Sequence, residues 1–164
     1  MNRMRKLGLV VTGFALAAIP LLVAAQSMGG DTARQAKITG TTFVSVDELK
    51  WTPMADIPGA QMAAVFGDPA KEAHRVFFKF PAGLKAPVHT HTNGDRGVII
   101  SGTLVLTPEG GAAKKLPPGS YWSMAGGTKH TTSVDGDKEC IFYIEREGRW
   151  DVVMAGEAGA KKEK

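Results

Sequence analysis

The middle of the chain is a succession of short runs rich in β-branched and aromatic residues, each bounded by glycine or proline. In residues 74–80, Val76, Phe78 and Phe80 occupy one face and two basic residues occupy the other, which is the period of a half-buried strand. Similar runs are predicted as strands at residues 61–66, 97–107, 120–124, 129–134, 140–146 and 150–153. Short strands at this spacing indicate an all-β fold, either a sandwich or a small antiparallel β-barrel.

The composition agrees with a single turn-rich domain. Twenty glycines and nine prolines among 164 residues favour strands and turns over a helix bundle. The length is typical of one domain with its own core. One cysteine, Cys140, excludes an intramolecular disulfide framework and a cysteine-based zinc cluster. We interpret Cys140 as a buried, inert thiol on a strand face.

Residues 1–25 are predicted to be an export signal. Three basic residues among the first six are followed by an uncharged stretch at 7–25 that ends in small side chains, so cleavage is predicted after Ala25. The mature protein would be secreted, or would lie in the periplasm if the cell is a Gram-negative bacterium. The alternative is an uncleaved membrane anchor, because such a stretch could just cross a bilayer. The glycines in the stretch and Pro20 favour the cleaved signal.

The formal net charge of +4 is mostly a property of this segment. Its removal leaves 17 basic and 16 acidic residues, a net charge of +1. The remaining lysines form no basic stripe interleaved with aromatic side chains, so nucleic-acid binding loses its support. After cleavage we predict a flexible linker at 26–40, one folded β domain at 41–154 and a disordered tail at 155–164, with no stable membrane anchor.

Two of the four histidines, His89 and His91, form a His-x-His sequence in a segment expected to be extended. Side chains two apart on a strand point to the same side, so both imidazoles could bind one transition metal. A pair of surface histidines would give the same pattern. His74 shares the strand face of Val76 and Phe78 and is interpreted as a core histidine rather than a ligand.

In spacing, this region resembles the first motif of the cupin family: a glycine, His-x-His, an acidic residue and a second glycine. The matching positions are Gly83, His89, His91, Asp95 and Gly102. Asp95 replaces the usual glutamate, and its side chain is one methylene shorter. It would reach a metal directly only if the backbone moves in, and otherwise it would bind through a water. If four residues are counted after His91, Arg96 takes the acidic position instead and a three-histidine site remains.

Residues 119–134 resemble the second cupin motif. Gly119 and His130 stand at the expected positions, whereas Ala125 replaces a proline and Val134 replaces an asparagine. The resemblance implies a small antiparallel β-barrel, or jelly roll, with a metal inside near one mouth. It implies metal ligation by His89, His91, Asp95 and His130.

The resemblance leaves the metal open among divalent Fe, Mn, Ni, Cu and Zn. The leading hypothesis is an exported metal-binding cupin acting as a dioxygenase-like oxidoreductase on a small oxygenated organic compound, with no catalytic residue assigned beyond the ligands. The alternative is a non-catalytic metal-binding, small-ligand-binding or sensory module, and a third hypothesis is a metal-free structural barrel. A small-molecule ligand and a homodimer are expected from the resemblance alone.

The export prediction has a direct test. Sequencing the N-terminus of the mature protein should give a chain that begins at Gln26, because the small residues before it suit signal peptidase. A mature protein that begins at Met1 would contradict cleavage and support the membrane anchor.

Overall fold

The computed structural model describes residues 40–155, which form eleven β-strands and one short 3₁₀ helix. The predicted export signal, all but the last residue of the linker and all but the first residue of the tail lie outside the described residues, so the predicted domain boundaries stay predictions. No helix within 40–155 is long and apolar enough to cross a membrane. The elements are η1 Val46–Glu48, β1 Thr52–Pro53, β2 Gln61–Phe66, β3 His74–Phe80, β4 Lys85–Thr90, β5 Asp95–Ser101, β6 Thr103–Pro108, β7 Lys114–Leu116, β8 Tyr121–Met124, β9 His130–Asp135, β10 Cys140–Arg146 and β11 Val153–Met154.

The strands form two antiparallel sheets. The first sheet has the order β1-β2-β3-β10-β5-β8, and the second has the order β11-β4-β9-β6-β7. Over residues 40–155, no strand of one sheet pairs with a strand of the other. The predicted all-β jelly-roll class is therefore confirmed, in the form of two facing sheets rather than a barrel closed by hydrogen bonds.

The core lies between the sheets, where both inner faces are apolar. β3 and β10 alternate strictly between buried and half-exposed residues, as expected for strands with one face on the core. The first sheet contributes aromatic side chains, including Phe78 and Phe142, and the second contributes mainly leucines and a valine. Burial of these side chains from both sheets supplies the main stabilising free energy of the fold.

The predicted strands at 61–66, 74–80 and 140–146 match β2, β3 and β10 residue for residue. The predicted run at 97–107 is a hairpin, because Gly102 adopts a positive φ of 72° between β5 and β6. Its backbone lies so close to Glu139 and Cys140 that a Cβ would clash with them. Glycine is therefore required here for both reasons.

Three strands, β1, β4 and β7, were not predicted as strands from the sequence. β1, at Thr52–Pro53, has only two residues. β4, at Lys85–Thr90, was expected only as an extended segment around His89, since its own residues lack a clear alternation. β7, at Lys114–Leu116, has two exposed lysines and one buried leucine, which is too short for a period to show. The 3₁₀ helix at Val46–Glu48 precedes β1 and has no buried residue.

Candidate metal centre

Three of the four histidines meet between the sheets. His89 on β4 and His130 at the start of β9 are register partners in adjacent antiparallel strands, so their side chains emerge side by side. His91 follows β4 by one residue and adds a third imidazole. The nitrogen donor atoms of the three side chains lie within 4.8 Å of one another. The sequence prediction that these three residues come together is consistent with this geometry.

Each of the three imidazoles is held by a backbone carbonyl at its Nδ1 atom. The acceptors are the carbonyl oxygens of Pro87 (2.7 Å from His89), Asp151 (2.6 Å from His91) and Thr128 (2.9 Å from His130). A carbonyl oxygen only accepts, so Nδ1 carries the proton in every case. In the neutral ring the lone pair is then on Nε2, and this arrangement is typical of metal-binding histidines.

The surroundings favour the neutral form of His91 and His89. Burial lowers the pKa of His91 to about 3, assisted by the positive charge of Arg146. Burial also lowers the pKa of His89. A neutral imidazole is the form that binds a metal ion. Three converging imidazole nitrogens suit divalent zinc, copper, iron or nickel, so the residues present fit a transition metal.

Asp95, the predicted fourth ligand, begins β5 and lines the same cavity as the histidines. Its Oδ2 atom accepts a hydrogen bond from Nη2 of Arg146 at 2.5 Å, and the Arg146 side chain is only 1% exposed. Among the described residues, the donor atoms that lie within 4.8 Å of one another belong to the three histidines, and Asp95 is not among them. Ligation by Asp95 stays a prediction, because the second oxygen of a carboxylate can bind a metal while the first accepts from arginine.

Arg146 lines the same cavity and was not singled out from the sequence. It ends β10 on the inward face shared by Cys140, Phe142 and Ile144, so the alternation of that predicted strand could have placed it inside. Its guanidinium lies 4.4 Å from the ring centre of Trp150, a cation–π contact. Within the described residues, its Nε and Nη1 atoms are buried and have no hydrogen-bond partner.

Asp151 links the turn that carries His91 to the segment after β10. Its carboxylate accepts from the Thr92 backbone N–H at 2.9 Å and from the Thr92 hydroxyl at 2.5 Å, while its carbonyl accepts from His91. These three hydrogen bonds connect residues that are 59 or 60 positions apart in sequence. Asp151 therefore fixes both the orientation of the His91 ring and the backbone beside it.

The histidines line a cavity of about 420 Å³ between the sheets. Most of its wall is aromatic or aliphatic, with side chains from both sheets. Two exposed charged residues, Asp56 and Lys85, lie at its rim. The cavity is thus an apolar space with a compact set of buried polar groups, which is the usual character of a small-molecule site.

The remaining residues singled out from sequence lie elsewhere. His74 is buried and donates from Nδ1 to the Glu72 carbonyl, outside the histidine cluster, as predicted. Arg96 pairs with Glu145 at 3.1 Å on the half-exposed face of the first sheet, whereas Asp95 lines the cavity. Cys140 is fully buried and burial raises its pKa to about 11, which agrees with an inert thiol.

The contacts of Asp151 predict a measurable loss of stability. The variant Asp151→Ala should lower the free energy of unfolding by about 1–3 kcal/mol, because Thr92 loses two charge-assisted hydrogen bonds in a half-buried site. Burial alone would raise the pKa of Asp151, but the bonds from Thr92 together with the positive charges of Arg149 and Arg146 outweigh it and lower the pKa from its ordinary value of 3.8. The stability difference should therefore be full above the ordinary pKa and disappear as the pH falls through the lower folded-state value.

Urea unfolding at several pH values measures this effect. The matched control is Asp135→Ala, which removes an exposed carboxylate that pairs with Lys115 at 2.7 Å; its loss should cost less than about 1 kcal/mol. Equal stability of the two variants would contradict the assigned role of Asp151.

Solved structures of known proteins share this fold. The polyketide cyclase RemF from Streptomyces resistomycificus is 15% identical, with a TM-score of 0.59 over 72% of this chain and 89% of its own. KdgF from Halomonas sp. is 24% identical, with a TM-score of 0.55 over 69% and 97%. An RmlC-like cupin from Shewanella frigidimarina is 14% identical, with a TM-score of 0.54 over 68% and 93%. At these identities the likeness shows the fold alone.

The sequence comparisons identify the family. A comparison with curated protein sequences gave no significant match. The family model described as the ChrR cupin-like domain matches residues 39–159, which include every strand and all three clustered histidines. The match confirms the resemblance to cupins that the two motifs indicated. The chain belongs to the ChrR cupin-like domain family of the cupin superfamily.

Proposed function

We propose that this protein is an exported metal-binding cupin that acts as a dioxygenase-like enzyme on a small oxygenated organic compound. The observation that carries the proposal is the meeting of three imidazoles, each fixed by a carbonyl at Nδ1, on the wall of an apolar cavity. Export is supported by the character of residues 1–25.

The proposed ligands of the metal are Nε2 of His89, His91 and His130, with Asp95 as the fourth. A bound divalent metal would supply Lewis-acid polarisation of a ligand oxygen or, if it is iron, activation of dioxygen. The imidazoles hold the metal without contributing charge. The Asp95–Arg146 pair adds no net charge to the site. Apolar walls exclude water, which strengthens electrostatic interactions inside the cavity.

A non-catalytic module that binds a metal or small ligand, or senses one, is the second candidate function. It is favoured by the shortage of additional reactive groups around the cavity. Among the described residues, the lining carboxylates are Asp95, which is held by Arg146, and Asp56, which is exposed at the rim. A homodimer is proposed from family resemblance only.

Metal binding is the first test. The wild-type mature chain, purified without chelators, should hold one equivalent of a transition metal by elemental analysis, whereas His89→Ala and His130→Ala should hold none. The matched control is His74→Gln, which alters a buried histidine with the same Nδ1–carbonyl contact outside the cluster. Wild-type protein that neither retains a metal nor binds added Zn²⁺ or Fe²⁺ would overturn the proposal.

The same measurement distinguishes the roles of Asp95. If Asp95 is a ligand, Asp95→Asn should weaken metal binding more than about 100-fold, since a whole ligand is lost. If Asp95 does not bind the metal and only supports the histidine ligands, Asp95→Asn should weaken metal binding by about 10–100-fold, as is typical of residues that contact the ligands of a metal. Competition with a coloured chelator gives the affinities.

Turnover is the second test, and it separates the two candidate functions. Iron-loaded protein with a panel of diketones, phenols and flavonols should consume dioxygen in stoichiometric amounts with loss of the organic compound. His130→Ala should abolish the uptake because the metal is lost. Tight ligand binding without turnover, with any of the candidate metals, would favour the binding or sensory module.

A further inference from the structure

The wall of the cavity indicates what kind of molecule it takes. We propose that the ligand has an apolar, ring-containing body and a single anionic oxygen-bearing head group. The head group lies at the histidine cluster and the body lies among the aromatic side chains. This inference rests on the proposed function for the metal at the head-group end, whereas the apolar end follows from the cavity itself.

The apolar end is built by the inner faces of both sheets. Phe78, Phe80, Phe142 and Trp122 come from the first sheet and pack against one another with ring centres 4.9–5.7 Å apart. Leucines on β6 face them from the second sheet. Such a wall gains free energy by burying hydrocarbon and aromatic surface. Each hydroxyl of a sugar-like ligand would instead lose its water without a new partner, at a cost of about 1–3 kcal/mol.

Among residues 40–155, ionisable groups line the cavity at two places. The buried place contains the histidines with Asp95 and Arg146, and the rim contains Asp56 and Lys85. Lys85 and His89 on β4 are the register partners of Ser133 and His130 on β9, which are three residues apart, about 10 Å along a strand. A ligand that spans this distance has polar contacts at its ends and apolar contacts along its length.

The charge balance favours an anionic head group. Histidine binds a metal as the neutral imidazole and so adds no charge, and the charges of Asp95 and Arg146 cancel each other at 2.5 Å. A divalent metal on the histidines would therefore leave an uncompensated positive charge in an environment of low dielectric constant. A carboxylate or an enolate oxygen restores neutrality. The cavity volume of about 420 Å³ is near the lower end of small-molecule sites and suits one or two rings.

Three small molecules that differ either in the body or in the head group test this inference on the mature chain loaded with redox-inert Zn²⁺. The probes are 2-naphthoate, glucuronate, which has the same head group on a polyol body, and 2-naphthylmethanol, which has the same body without the charge. Calorimetry and quenching of tryptophan fluorescence give the affinities. We expect 2-naphthoate to bind at least about tenfold more tightly than either of the others.

Matched variants locate the binding. Ala86→Phe adds a ring at a residue that lines the cavity and should weaken 2-naphthoate binding at least tenfold while Zn²⁺ stoichiometry is unchanged. The control is Ala64→Phe, which adds the same ring at an exposed position on β2 outside the cavity and should change neither. If Ala86→Phe does not fold, the comparison of the three probes on the wild-type protein still decides.

The outcomes separate this inference from the proposed function. If Zn²⁺ binds but glucuronate binds as tightly as 2-naphthoate, the ligand class is wrong and the metal site stands. If Zn²⁺ does not bind, the proposed function fails. Binding of 2-naphthylmethanol to the metal-free protein then tests the apolar end: saturable binding lost in Ala86→Phe supports it, and no binding overturns it.

Discussion

The site depends on hydrogen bonds from imidazole Nδ1 atoms to backbone carbonyls. Each bond does two things at once: it selects the tautomer with its lone pair on Nε2, and it fixes the ring plane. For His89 and His130 the acceptor is the carbonyl two residues earlier in the chain, so their local strand geometry is sufficient. For His91 the acceptor is the carbonyl of Asp151, 60 residues away, and the ring orientation requires the completed fold.

A second layer of contacts supports this geometry. The ring centre of Trp150 lies 4.4 Å from the Arg146 guanidinium carbon and 5.0–5.2 Å from the ring centres of Phe78 and His91. Arg146 in turn donates a hydrogen bond to Asp95. The segment after β10 therefore contacts the site from one side and the core from the other. A buried cation is tolerated here because it is paired and stacked on an aromatic ring, although two of its nitrogens lack partners within residues 40–155.

The sequence was sufficient to predict the regular parts of the fold. The strands β3 and β10 have a strict period of two, and their bounds were predicted residue for residue because each has one face on the core. β4 has no such period, since a proline and a polar pair interrupt it, and a register shift occurs between Ala86 and His89. Local propensity gives little information where pairing with two neighbours, β9 and β11, determines the strand.

By itself, the sequence determined the all-β class and the three histidines, because strand periodicity and motif spacing are local properties. Tertiary structure decided the rest of the site. Only the pairing of β3, β10 and β5 in one sheet brings Arg146 opposite Asp95, the register partner that it holds. Only the return of the chain after β10 brings Trp150 and Asp151 to His91. These contacts join residues about 50–60 positions apart, and no local pattern encodes which distant residue will meet which.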